Sequence, residues 1–251
     1  MRRVIRCVVV VVGTMAMAIS ASNAISLAAL STSTAGVTIA SVLPANGEMV
    51  GVAQPVTVRF TKPIANRAAA EQTIDIISPN MPTGRFTWLN EAVVQWVPNS
   101  FWPAYTQVTV KAGPLSTEFE TGAAVVGVVD ISAHTFTVSI DDQVMREMPA
   151  SMGKPRYPTP VGRFSVLEKQ RNVKFDSRTI GIPLDDPEGY LINGEYAVRV
   201  TWGGVYVHSA PWSVGSQGNT NVSHGCINLS PDNAAWYFDT VRVGDPVIVQ
   251  A

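Results

Sequence analysis

Cys226 stands in the segment Ser223-His224-Gly225-Cys226-Ile227-Asn228, and His208 lies 18 residues before it. A thiol with two histidines close in sequence has the parts of a thiolate nucleophile and the base that takes its proton. The chain holds 2 cysteines, and the other, Cys7, falls in an N-terminal export signal. The exported protein would then keep a single thiol. An oxidising exterior favours disulfides, so a lone thiol there points to a reactive group or an intermolecular bridge. If 223–228 runs extended, residues two apart share a face, and His224, Cys226 and Asn228 point the same way. His208 ends a strand over 204–208, and a Gly/Ser/Asn-rich loop over 213–221 returns the chain toward Cys226. Were those strands neighbours, a contact between His208 and the thiol is easy to build. Gly225 lets a carbonyl oxygen approach the backbone closely, and the N–H groups around Gly225 and Cys226 suit an oxyanion hole. These residues together point to cysteine-dependent acyl transfer.

The export signal is read from the first 24 residues. Arg2, Arg3 and Arg6 precede an apolar run over 7–19, and Ala16-Met17-Ala18 and Ser22-Asn23-Ala24 offer small-residue cleavage sites. The run is shorter than the roughly 20 residues a membrane span needs. The alternative is an uncleaved anchor lengthened through 25–30. Cys7 opens the apolar run and does not follow it, so it is not placed as a lipoprotein acylation site. Removing 1–24 takes away three arginines, leaving 15 Lys and Arg against 19 Asp and Glu and moving the formal charge from −1 to −4. That balance argues against nucleic acid, which needs a basic face. With 3 histidines, one remaining cysteine and no CxxC or HExxH, neither a metal nor an organic cofactor is expected.

The elements that must position this chemistry read as mostly β. Residues 32–122 carry short alternating runs, among them 56–60, 73–76 and 107–111, separated by turn signals such as Pro44-Ala45-Asn46-Gly47 and Ser78-Pro79-Asn80. One helical turn fits 66–72. This spacing favours a small immunoglobulin-like β-sandwich without a cysteine pair, its core packed around Trp88 and Trp96. The second domain, 123–251, predicts strands over 125–131, 135–140, 144–148, 163–167, 196–201, 204–208 and 246–249. The segment 157–162 reads as a rigid turn. One short helix fits 231–238, with Ser230 as N-cap and Pro231 at its first position.

At the level of motif, His208, its spacing to Cys226, and Ser223-His224-Gly225-Cys226-x-Asn228 resemble the signature of YkuD-type L,D-transpeptidases. Tyr157-Pro158-Thr159-Pro160-x-Gly162-x-Phe164 resembles that family's Pro-Thr-Pro-x-Gly segment. The likeness covers roughly 125–251, and the leading sandwich and signal resemble the family's mycobacterial branch. Longer members of that branch carry a second sandwich and a C-terminal extension, whereas here 25 residues follow Cys226. The resemblance implies Cys226 as nucleophile, His208 as base, and the Ser209 carbonyl orienting its imidazole. It implies His224 supporting the loop or the substrate, Asn228 contacting substrate, and Tyr190 in a lid near the thiol, its hydroxyl aiding an oxyanion. The implied reaction joins peptidoglycan stem peptides. Cys226 takes the acyl group of a donor tetrapeptide, D-alanine leaves, and the diaminopimelate amine of a second stem forms a 3→3 cross-link. Carbapenem β-lactams are the implied inhibitors. The protein would sit in the periplasm or cell wall, peripheral to the membrane or anchored at it.

Other readings stay open on sequence alone. Water could replace the amine, giving a carboxypeptidase or endopeptidase, or the chain could be a non-catalytic wall-binding protein. His224 could be the base, and His208 a strand-end histidine. Tyr190 could be a packing aromatic, while Trp202, Tyr206 and Trp212 read as core or cleft wall, Trp212 with a place in substrate binding. His134 reads as structural and distant from the motif. Asp185, Asp186 and Glu188 read as a solvated loop.

Overall fold

The computed structural model describes residues 37–251, which form one compact unit. The export signal or anchor over 1–30, and the first residues of the expected sandwich, lie outside the described residues. Among those described, no helix is long and apolar enough to cross a membrane.

The first half is built from β1 (Ile39–Leu43), β2 (Glu48–Val50), β3 (Val56–Phe60), the one-turn helix α1 (Arg67–Glu71), β4 (Ile74–Ile77), β5 (Gly84–Asn90), β6 (Val93–Pro98), β7 (Gln107–Ala112) and β8 (Leu115–Thr121). Two four-stranded sheets, β1-β3-β6-β5 and β2-β8-β7-β4, bury one shared core. The alternation of Val56, Val58 and Phe60 inward with Thr57 and Arg59 outward is the pattern of a half-buried strand. Asn66 caps α1 by accepting the Ala69 N–H at 3.1 Å. The aromatic centre differs from the expected one. Trp96 packs against Trp102 at 5.1 Å, and Trp102, only 2% exposed, donates its indole N–H to Gln54 O. Trp88 lies on the edge strand β5, stacks on Phe60, and spends its N–H on Glu71. Trp102 sits in an irregular stretch that carries no period, which hid it from a strand-pattern reading.

The second half holds β9 (Val125–Asp130), β10 (Thr135–Ile140), β11 (Gln143–Pro149), β12 (Gly162–Ser165), β13 (Glu168–Asp176), β14 (Leu191–Arg199), β15 (Tyr206–Ser209), β16 (Ile227–Leu229), α2 (Pro231–Thr240) and β17 (Pro246–Gln250). A five-stranded sheet, β11-β10-β9-β17-β12, and a four-stranded sheet, β13-β14-β15-β16, share a core that includes Phe136, Val207, Ile227 and Leu229. Helix α2 packs on β14 and β15. Pro231 opens it as expected, but the Ser230 side chain makes no capping bond. Two expectations shift. Strand β14 starts at Leu191, five residues before 196, and β13 had no counterpart in the sequence reading. Its residues, Glu-Lys-Gln-Arg-Asn-Val-Lys-Phe-Asp, are mostly polar, and it is held at a sheet edge by its ladder to β14. Between them, 177–190 forms the loop that overhangs the candidate site.

The two halves meet along a backbone seam. Gly51 and Ala53 donate to the carbonyls of Val243 and Gly244, both at 2.8 Å. A Cβ on Gly51 would meet the Asp245 backbone nitrogen at 2.0 Å, so glycine is required there. Asp245 is fully buried at this seam. Its Oδ2 accepts the Arg242 N–H, and burial pushes the carboxyl up to about 7 against the opposing pull of the Arg242 and Val52 backbone N–H groups.

Candidate active site

Strands β15 and β16 run side by side and parallel, pairing His208 with Asn228. Paired residues share a face, and Cys226 lies just before β16, so His208, Cys226 and Asn228 come together. The hydrogen bond between His208 and the thiol that the sequence suggested is not made: the thiol bonds to Gly204 O at 3.6 Å. All three line one pocket of about 280 Å³, together with His224, Tyr190 and Trp212.

The route to that gathering differs from the extended segment expected. Only Ile227–Leu229 is strand; Gly225 has φ 113°, a conformation L side chains rarely adopt, and the chain turns there. A hydrogen-bond chain fixes the turn. Gly153 N–H donates to Thr159 Oγ1, and Thr159 Oγ1 donates to Gly225 O, each at 2.9 Å. Ser223 Oγ accepts from Gly225 N–H at 3.1 Å and donates to Cys226 O at 2.7 Å. The Pro-Thr-Pro segment therefore supports the thiol turn through Thr159. The Gly225 N–H is already engaged by Ser223, so of the two amides considered for an oxyanion it is not the spare one.

The ring of His208 is 3% exposed, packed between Phe175 at 4.5 Å and Trp212 at 5.9 Å. Its Nδ1 donates to the Ser209 carbonyl at 2.8 Å. A carbonyl can only accept, so Nδ1 carries the hydrogen and Nε2 of the neutral ring keeps its lone pair. Burial drives His208 down to about 4, against the opposing pull of the Ser209 carbonyl and the Asn228 side chain. Asn228 is itself buried and donates to Ser213 Oγ at 3.1 Å, so the loop after Trp212 braces the residue that braces His208.

Cys226 is a free, half-buried cysteine whose thiol hydrogen-bonds to Gly204 O at 3.6 Å. Burial raises it to about 11, partly offset by the Tyr206 N–H. The resting pair is therefore neutral thiol and neutral imidazole. Tyr190 is raised to about 12, first by burial and then by the nearby Cys226 charge, so its hydroxyl stays a donor.

Residues 124–249 match the YkuD family, the L,D-transpeptidase catalytic domain, and 14–114 match a bacterial Ig domain. The chain belongs to the YkuD L,D-transpeptidases. It is 57% identical to L,D-transpeptidase 1 of Mycobacterium tuberculosis, with 99% of each chain covered. It is also 50% identical to the probable L,D-transpeptidase 3 of the same organism over the whole of both chains. A solved structure of the L,D-transpeptidase LdtMt1 with imipenem superposes with a TM-score of 0.84 at 60% identity, covering 86% of this chain and 100% of that one. An L,D-transpeptidase structure from Mycobacterium smegmatis gives 0.82 at 62% identity, with the same coverage. The sandwich is thus an immunoglobulin-like domain ahead of a YkuD catalytic domain, as the strand spacing suggested.

Within this L,D-transpeptidase, two assignments from sequence change, those of Glu188 and Trp202. Glu188 is not a freely solvated carboxylate: it accepts from His224 Nε2 at 2.9 Å and pairs with Lys154. His134, read as structural, bonds through Nδ1 to Asn221 Oδ1 at 3.0 Å, and neither residue lines the pocket. Trp202 is neither core nor enclosed wall, being 73% exposed with Arg199 over its ring. Tyr206 is core, edge-on to Phe175. Among the described residues, no group of three His, Cys, Asp or Glu side chains is placed to hold a metal.

Proposed function

We propose that this chain is an exported peptidoglycan L,D-transpeptidase that forms 3→3 cross-links through a thioester on Cys226. One observation carries the reading. The thiol, just before β16, and a histidine of β15 with its Nδ1–H committed to a carbonyl open into one pocket. The bare Nε2 takes the thiol proton as sulfur attacks the diaminopimelate carbonyl of a donor tetrapeptide. The Cys226 amide and the Tyr190 hydroxyl stabilise the oxyanion. Collapse breaks the bond to D-alanine, whose amine leaves with the proton from His208. The side-chain amine of a second stem then attacks the thioester, loses its proton to the same imidazole, and frees the thiol. Asn228 acts by holding His208 and Ser213, and Trp212 walls the donor site.

Carbapenems acylate the same sulfur in this reading, supported by the imipenem complex and by a faropenem-derived adduct of the Mycobacterium tuberculosis L,D-transpeptidase 3. The protein acts in the periplasm or cell wall, either processed after 1–24 or held by an uncleaved anchor. Mass spectrometry of products from a disaccharide-tetrapeptide tests the reaction. Cross-linked dimer with released D-alanine is expected; trimmed tripeptide alone would make the enzyme a hydrolase, and unchanged substrate a wall-binding protein.

A further inference from the structure

One carboxylate ties two walls of the pocket to a third segment that packs behind them. Glu188 lies in the 177–190 loop, His224 in the turn before Cys226, and Lys154 in the segment that donates its backbone N–H to Ser223 O at 3.0 Å. Glu188 Oε2 accepts from His224 Nε2 at 2.9 Å and pairs with Lys154 Nζ. A carboxylate only accepts, so Nε2 carries the hydrogen, and Nδ1 is the one acceptor atom of the neutral ring. The ring itself is held between Tyr157 at 4.9 Å and Tyr190 at 5.0 Å. Exposed ion pairs contribute little to stability. This one is half-buried, and its three side chains come from segments far apart in sequence, two of which line the pocket while the third bonds to the turn before Cys226.

We propose that Glu188 is a positioning residue for acyl transfer, closing the 177–190 loop onto the Cys226 turn and fixing His224 as the Nε2–H tautomer, with Nδ1 free to accept an N–H of the stem peptide. The proposal rests on Cys226 being the nucleophile. The groups that face His224 are Lys154, Glu188, Tyr157 and Tyr190. Burial first, and Lys154 second, hold its pKa below the usual value, while Glu188 opposes them.

Long-range proton–nitrogen spectra of histidine-labelled protein read the tautomer, and a titration reads the pKa, both without turnover. In the native chain His224 should be the Nε2–H tautomer. Glu188→Ala should lose that preference and raise the donor KM about tenfold, the effect of one lost charge-assisted hydrogen bond, with kcat within about threefold. Glu188→Gln, whose amide oxygen still accepts from Nε2–H, should keep the tautomer and recover most of the KM. It should lower the His224 pKa by about one unit, whereas Lys154→Met should raise it by about one. An Nδ1–H tautomer in the native chain, a His224 titration unmoved by both charge variants, or a loss confined to kcat would overturn the proposal. Activity surviving in Cys226→Ala would instead overturn the nucleophile assignment on which it rests.

Discussion

Replacing His208 with alanine should change the shape of the acylation pH profile as well as its height. Burial holds the thiol at about 11 and the imidazole at about 4, so between pH 5 and 9 neither resting group titrates. With the base present, the proton moves to Nε2 during attack, and the rate should be nearly flat over that window. Without it, only preformed thiolate can react. At pH 7, four units below the thiol's pKa, the thiolate is about one part in 10,000. That fraction rises tenfold per pH unit, so His208→Ala should climb about 10,000-fold from pH 5 to 9 while lying well below the native rate at pH 7. Should water entering the vacated space lower the thiol's pKa, the climb ends in a plateau above the new value, but the slope below it remains. Single-turnover acylation by a carbapenem, followed by intact mass, measures this directly. A flat His208→Ala profile near the native rate would refute the reasoning. A steep His224→Ala profile beside a flat His208→Ala one would move the base to His224.

Three further outcomes follow from packing and charge. The Asp245 carboxyl is raised in the folded chain, so its stabilising contribution is full below the unfolded value of 3.8 and is lost as pH rises through about 7. Thermal melts of native and Asp245→Asn protein should therefore diverge over that interval by on the order of 4 kcal/mol, the variant being spared the loss; parallel curves would mean the carboxyl is not perturbed. Trp102→Ala should destabilise the chain by about 3–5 kcal/mol in chemical denaturation, because it empties the centre of the sandwich core and orphans Gln54 O; a loss under about 1 kcal/mol would place the core elsewhere. Gly225→Ala should cost about 1–3 kcal/mol through its φ of 113° and slow acylation, and native kinetics in that variant would show that the turn tolerates another conformation.

How far the sequence carried depended on whether a feature was local. Strands with clean alternation, such as Val56–Phe60 and Thr135–Ile140, were legible because one face is buried and the other wet. Strand β13 was not, because a polar edge strand owes its conformation to the ladder from β14. Cys226 and His208 were legible by type and spacing, and the parallel pairing of β15 with β16 brings them to one pocket without the direct hydrogen bond that the spacing allowed. Glu188 was read as solvent-facing because its partners, His224 and Lys154, are brought to it by the loop's return over the pocket. Asn228 was expected against substrate; it lines the pocket and, through Ser213 and His208, also braces the loop, a role the spacing did not show.

The central claim is that Cys226 carries the acyl group between donor and acceptor. Intact-mass spectrometry of the protein, quenched soon after mixing with a disaccharide-tetrapeptide donor and no acceptor, tests it most directly. The account predicts one adduct per chain, with the mass of the donor less D-alanine, and none in Cys226→Ala. An adduct that retains D-alanine, or one that persists in Cys226→Ala, would contradict it.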